Sequence, residues 1–138
     1  MKVLVATEKP FAKKAVDGIK NIFAEAGYEV VIIAPKDNDI TFIKQAQIRL
    51  IPIEMDCKGM NPFADMKLAK TLKQIYKKEK FDFLFHYTIK PVVYGSWAAR
   101  KAKIPQISVI TGLGYTFISK GWINRLAKCL YRFSLRTA

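Results

Sequence analysis

Between residues 86 and 91 the chain reads His86-Tyr87-Thr88-Ile89-Lys90-Pro91, which sets an imidazole, a phenol, a hydroxyl and an ammonium side by side. With an unperturbed pKa of ~6.5, His86 could titrate near neutrality and bond a hydroxyl of a bound molecule. Its bland alternative is a strand-end histidine bonded to a backbone carbonyl. Lys90 precedes Pro91, the expected first residue of a helix, where the helix dipole disfavours a cation. A cation in that place suggests pairing with a phosphate or a carboxylate, and Thr88 between the two adds a hydroxyl. A second cluster, Thr111-Gly112-Leu113-Gly114-Tyr115, offers two glycines that can adopt positive φ and bare their amides to a sugar or phosphate oxygen. Thr111 and Tyr115 flank them with hydroxyls. Glu8 and Lys9 form a third, smaller charged corner.

These clusters require strands that end beside one another. Phe81-Asp82-Phe83-Leu84-Phe85 is an apolar run suited to a strand covered on both faces, and it empties into the His86 cluster. Pro91 then starts a helix with Val92, Val93, Ala98, Ala99 and Ala102 as its apolar face, and Pro105 opens the strand Ile107 to Ile110, which ends at the glycine corner. Upstream, Lys2 to Ala6 is a strand that ends at Thr7-Glu8-Lys9-Pro10. A helix follows with Phe11, Ala15, Ile19, Ile22, Phe23 and Ala26 in register, and Gly27 stops it. Tyr28 to Ala34 is the second strand. Asp37-Asn38-Asp39 caps a short helix through Ala46, and Ile48 to Ile53 is a third, outer strand because Pro52 removes a ladder donor. Asn61-Pro62 caps and starts a long helix with Asp65 in its first turn and Lys77-Lys78 in its last. From Lys120 onward Trp122, Ile123, Leu126, Leu130 and Phe133 form an apolar stripe beside Arg125, Lys128, Arg132 and Arg136. Strands alternating with helices predict a doubly wound, three-layer α/β domain with a parallel sheet of about five strands in the order 3-2-1-4-5. In such sheets ligands bind beyond the carboxyl ends of the strands, where the three clusters fall.

The 138 residues, 51% of them hydrophobic, make one domain with a proper core. A formal net charge of +13 points any large partner toward anionic chemistry. The basic residues are spread over several helices without interleaved aromatics, which argues against nucleic acid. Cys57, Cys129 and the single histidine supply almost no ligands for a structural zinc or a disulfide framework, so no metal is expected. The first strand-to-helix turn holds no glycine, which excludes the Gly-x-Gly-x-x-Gly turn of a tightly held dinucleotide, so no cofactor is expected either. No stretch reaches the roughly 18 apolar residues of a spanning helix, and the N-terminus begins directly in a strand, which predicts a cytoplasmic protein.

Three strings, each at a predicted strand or helix end, carry a resemblance. Gly59-Met60-Asn61-Pro62, Tyr87-Thr88-Ile89-Lys90-Pro91 with Tyr94-Gly95-Ser96, and Ile110-Thr111-Gly112-Leu113-Gly114-Tyr115 together resemble the N-terminal domain of family 4 glycosyltransferases of the two-domain GT-B fold, in the bacterial capsule and O-antigen branch. The resemblance covers nearly the whole chain. It implies transfer of a sugar from a nucleotide-sugar to an acceptor, often a lipid-linked saccharide, in surface polysaccharide biosynthesis. Residues 1–138 would then be the acceptor-side domain, with the donor bound mainly by a C-terminal domain absent from this chain, and the end at Thr137-Ala138 reads as a cut. Substrate contacts are expected from His86, Thr88, Lys90, Thr111, Gly112, Gly114, Tyr115, Glu8 and Lys9, while the catalytic residues stay unassigned.

The competing reading is a stand-alone flavodoxin-like regulatory or partner-binding module without activity. Response-regulator receivers share that shape but need an aspartate ending the third strand, where Ile51-Pro52-Ile53 stands. Finally, the basic terminal helix suggests an anionic membrane surface as a further partner, with peripheral attachment at the inner face of the plasma membrane. Its apolar stripe is expected to pack on the domain's own sheet while its arginines face out.

Overall fold

The computed structural model describes residues 1–7, 17–18, 21–23, 25–36, 48–56, 61–110 and 121–136. Five parallel strands form one sheet: β1 (Lys2–Ala6), β2 (Glu29–Pro35), β3 (Arg49–Ile53), β4 (Phe83–Tyr87) and β5 (Gln106–Val109), in the order β3-β2-β1-β4-β5. The predicted order is therefore observed. Three helices are described with it: α1 (Pro62–Glu79), α2 (Ser96–Ala102), entered through a π-helical turn at Pro91–Gly95, and α3 (Trp122–Leu135).

β1 lies at the centre because Val3, Leu4, Val5 and Ala6 are apolar on both faces, and all four are buried. Leu4 and Ala6 of β1, Val31 and Ile33 of β2 and Leu84 of β4 face Leu68, Leu72 and Tyr76 of α1 and Ala98 and Ala99 of α2. On the opposite face Val5, Ile32 and Ala34 pack with Phe85, whose ring meets Phe23 edge-on at 5.6 Å. Of the first predicted helix, residues 17–18, 21–23 and 25 are helical, and Ile22, placed by periodicity on its apolar face, is exposed. The short helix predicted after Asp37-Asn38-Asp39 lies outside the described residues.

α1 begins as predicted: Asn61 Oδ1 accepts from the amides of Phe63 at 3.1 Å and Ala64 at 3.4 Å, Pro62 occupies the first turn, and Lys77 and Lys78 close the last. Its end is fastened to the amino edge of the sheet by Glu79, which takes both guanidinium nitrogens of Arg49 at 2.7 and 2.9 Å and Lys2 Nζ at 2.6 Å. The Arg49 hydrogen bond, then that of Lys2, pulls the Glu79 carboxyl down to about 2. A depressed carboxylate pKa contributes stability above the unfolded value, and the contribution is lost as pH falls through the folded one. Stability is therefore expected to decline between pH ~4.5 and ~2 in part through this group. Urea titrations of wild type and Glu79→Gln across that window check it; equal slopes for the two would remove Glu79 from the account.

Candidate functional site

The carboxyl ends of β1, β4 and β5 lie side by side, with Ala6 paired to His86 and Tyr87 paired to Val109. β4 runs two residues further than its apolar run, which places His86 and Tyr87 inside the sheet. Asp82, expected within the strand, lies ahead of it and accepts from the Lys2 amide at 2.6 Å. His86 therefore points into the layer beneath α1 and has no exposed surface. Its Nε2 pairs with Tyr76 Oη at 2.9 Å, and its ring stacks on that of Tyr76 with centroids 6.0 Å apart. The expectation that His86 bonds an acceptor hydroxyl is corrected on this ground: the imidazole is a core group. Its partner is a phenol, where the bland alternative named a carbonyl. Burial, the larger cause, holds its pKa down at about 4, and His86 Nδ1 and Gln106 Oε1 are both buried without a hydrogen-bond partner among the described residues. The same burial raises the Tyr76 phenol.

The ring also dictates the helix above it. Gly95 closes the π-helical turn with its Cα against the imidazole, and a Cβ there would stand 2.6 Å from His86 Cδ2. Single π-helical turns cost hydrogen-bond geometry and are found disproportionately beside functional sites.

At the corner itself Thr88 has φ of +70°, a left-handed conformation that a β-branched residue adopts only under constraint. Its hydroxyl donates to the Tyr87 carbonyl and its own carbonyl accepts from the Val92 amide at 3.0 Å, which starts the helix. Two residues on, Lys90 reaches Asp65 in the first turn of α1: Nζ lies 2.7 Å from Oδ1, and each side chain keeps only 12% of its surface. Tyr94 donates to the other oxygen, Oδ2, at 2.9 Å. Burial first, and the hydrogen bond to Asp65 second, push the Tyr94 phenol up, so it stays a neutral donor. The predicted carboxylate pairing of Lys90 is thus present. Asp65 is favoured at the start of its own helix and offsets the unfavourable place of Lys90 on the next one.

Asp65 also separates two open depressions. One, of about 440 Å³, lies between β3 and α1, with Lys36, Glu54, Asp56 and Lys67 around its mouth. The other, of about 340 Å³, is an apolar groove between α1, α2 and α3 lined by Met66, Val93, Tyr94, Trp97, Leu130 and Phe133. The sequence pattern does not single out Asp65 or Tyr94 as neighbours of Lys90. Asp65 reads there as a helix-start acid, and only the fold reveals its two partners.

Of the predicted contacts, Thr88 and Lys90 stand together at the carboxyl edge. Glu8, Lys9, Thr111, Gly112, Gly114 and Tyr115 lie outside the described residues. Among the described residues no cluster of His, Cys, Asp and Glu suited to a metal occurs, and no helix is long and apolar enough to cross a membrane.

The model of a family described as glycosyl transferase 4-like matches residues 3–138. The chain belongs to that family. An N,N'-diacetylbacillosaminyl-diphospho-undecaprenol alpha-1,3-N-acetylgalactosaminyltransferase of Campylobacter jejuni is 29% identical to this glycosyl transferase 4-like chain over 115 residues, covering 80% of it and 31% of the relative. A UDP-Gal:alpha-D-GlcNAc-diphosphoundecaprenol alpha-1,3-galactosyltransferase of Escherichia coli is 27% identical over 92 residues, 67% of the chain and 24% of that enzyme. The chain thus spans at most a third of the length of these curated relatives. In fold it is similar to a glycosyltransferase from Rickettsia africae, with a TM-score of 0.67 at 16% identity over 84% of the chain and 32% of that structure. Membership of a glycosyl transferase family favours the enzyme reading over a stand-alone regulatory module.

Proposed function

We propose that this chain is the acceptor-side domain of a glycosyltransferase that moves a sugar from a nucleotide-sugar to a lipid-linked saccharide in surface polysaccharide biosynthesis, on the cytoplasmic side of the membrane. The observation that carries this reading is the family match over residues 3–138, supported by two relatives whose names both specify diphospho-undecaprenol-linked substrates. The donor is bound mainly by a second domain, in keeping with the small share of each relative that the chain spans. Acceptor contacts come from Thr88 and Lys90 at the carboxyl edge, and the sequence adds Glu8, Lys9, Thr111, Gly112, Gly114 and Tyr115 as further candidates. Lys90, held by Asp65, is a cation there that a diphosphate would share, and Gly112 and Gly114 are glycines in sequence, the residue type that lets an oxygen approach the backbone. An anionic membrane surface is part of the same reading, because a lipid-linked acceptor keeps its enzyme at the bilayer.

Half of such a cleft neither orients two reactants nor excludes water, so residues 1–138 alone are expected to show no transfer. In the full-length enzyme, Lys90→Ala and Gly112→Val are each expected to lower kcat/KM by about tenfold or more, with circular dichroism showing both variants folded. Radiolabelled sugar transfer to a diphospho-undecaprenol-linked acceptor checks both. Full activity in the two variants would make these corners structural only, and transfer by residues 1–138 alone would overturn the two-domain division.

A further inference from the structure

Lys90 is held at both ends of its side chain, and the holds come from different elements. Its backbone follows the left-handed corner at Thr88, whose carbonyl accepts from the Val92 amide at 3.0 Å and so sets Lys90 in the first helical turn. Its tip lies 2.7 Å from Asp65 Oδ1 on α1. Further along the π-helical turn, Tyr94 takes the second carboxylate oxygen at 2.9 Å. That turn is in turn seated by α3, where Ser134 Oγ donates to the Val93 carbonyl at 3.2 Å and Ser134 and Tyr131 are both buried. The rest of α3 does not pack as its sequence suggested. Trp122, Leu126 and Phe133 are exposed, 71% in the case of Trp122, which corrects the expectation that the apolar stripe lies on the domain's own sheet, while Arg125, Lys128, Arg132 and Arg136 face out as expected.

Stability does not account for the Lys90 cluster. Lys90 and Asp65 each keep 12% of their side-chain surface, and for a pair that dry the cost of desolvating two ions offsets most of their attraction. The helix dipole disfavours Lys90 where it stands. The Tyr94 ring forms part of the apolar groove with Val93, Trp97 and Phe133, a task that needs no hydroxyl, yet its hydroxyl is spent on Asp65.

What the cluster supplies is position. A lysine on a flexible stem gives up rotamer freedom when it binds a ligand, and one that is held beforehand does not. An ammonium has three donors, so Lys90 can keep Asp65 and still donate to a phosphate oxygen. Asp65 with a single partner would hold it poorly, because the torsion of a carboxylate about its last bond is broad. A second partner on the other oxygen stops that rotation, and Tyr94 is that partner.

We propose that Tyr94 and Asp65 are positioning residues for Lys90: the Tyr94 hydroxyl fixes the Asp65 carboxylate, and the carboxylate holds the Lys90 ammonium ready for a diphosphate oxygen of the acceptor. The identity of that ligand rests on the proposed function, whereas the clamp rests on the geometry alone. Tyr94 thereby governs acceptor affinity through Lys90.

Tyr94→Phe is the informative change, because it keeps the ring and the net charge, whereas removing Asp65 would also remove a charge that opposes a diphosphate. One readout needs no ligand. In heteronuclear NMR the Lys90 ammonium, protected from exchange by its ion pair, is expected to give a resonance identified by its loss in Lys90→Ala, and to broaden beyond detection in Tyr94→Phe. The other readout is inorganic pyrophosphate titrated into the protein at ~0.15 M salt, where long-range charge is screened. Tyr94→Phe is expected to weaken this binding about three- to tenfold, and to have no further effect once Lys90→Ala is present. In the full-length enzyme Tyr94→Phe should raise the acceptor KM and leave kcat within about twofold, since a group that holds the acceptor alike before and during transfer acts on KM. An unchanged ammonium resonance or an unchanged affinity in Tyr94→Phe would overturn the positioning role. So would an equal loss with and without Lys90, or a loss in Lys70→Ala, at an exposed lysine of α1, as large as that in Lys90→Ala, which would reduce the binding to bulk charge. Wild-type affinity in Lys90→Ala would instead count against the proposed function's assignment of the diphosphate, and the resonance would still decide the clamp.

Discussion

Gly95→Ala is expected to destabilise the protein by roughly 3 kcal/mol, the reverse of the gain of up to about 1 kcal/mol that the same change gives in an unobstructed helix. The new methyl would meet His86 Cδ2 at 2.6 Å and Nε2 at 2.7 Å. The ring has no room to retreat, since it is fully buried, stacked on Tyr76 and tied to Tyr76 Oη at 2.9 Å. Either the helix lifts off β4 or the His86-Tyr76 bond breaks and leaves buried polar atoms unpaired, at about 1–3 kcal/mol. A double-mutant cycle with His86→Ala checks the cause, because the shortened side chain vacates the space that the methyl needs. Denaturant unfolding should show Gly95→Ala nearly neutral or stabilising in that background. An equal loss in both backgrounds would mean that the π-helical turn itself, and not the histidine, demands glycine.

The sheet was open to sequence reasoning because its determinants are local and repeated. Val3 to Ala6 and Val31 to Ala34 are continuous apolar runs suited to interior strands and Pro52 marks β3 as an edge, and the observed order has β1 and β2 inside and β3 outside. Asn61, Pro62, Asp65, Lys77 and Lys78 likewise announce both ends of α1. What composition could not fix was the position of β4 along its neighbour. Phe81 looks like a strand residue, yet the ladder pairs Val3 with Phe83 and Ala6 with His86, and this two-residue advance carries His86 from an open corner into the core. Periodicity failed on α3 for a different reason. A stripe of apolar residues shows that a helix is amphipathic but not which surface covers it, and here the packed side is set by the small Ser134 and by Tyr131.

The site shows the same division. Thr88 and Lys90 were legible because they follow a strand, whereas Asp65 comes from a helix 25 residues earlier, and its contact with Lys90 at 2.7 Å is a product of the layer packing. Tyr94 reaches the same carboxylate from the π-helical turn through which the chain enters α2, and the end of that turn is set by Gly95 against His86. The buried histidine thereby shapes the edge without touching a ligand: His86 fixes Gly95, the turn sets Tyr94, and Tyr94 and Lys90 hold Asp65.

That dependence gives pH a direct hold on the fold. In the unfolded chain His86 binds a proton below pH ~6.5, whereas the folded protein, with the ring buried, resists protonation until about pH 4. Between those values the unfolded state carries more protons, so stability rises with pH across the window and falls as pH drops from 6.5 to 4. A gap of that width corresponds to a loss on the order of 3 kcal/mol by the lower limit. Above pH ~4.5 the window is clear of the one assigned to Glu79, so the two can be told apart there. His86 is the single histidine in the sequence, so one imidazole resonance followed by NMR reports its titration without assignment. Urea unfolding at steps from pH 7 to pH 4 should show the decline in wild type and a flatter profile in His86→Gln. A resonance that titrates near 6.5 in the folded protein, with stability level down to pH 4.5, would show the ring open to water and would detach it from the geometry of Gly95, Tyr94 and Asp65.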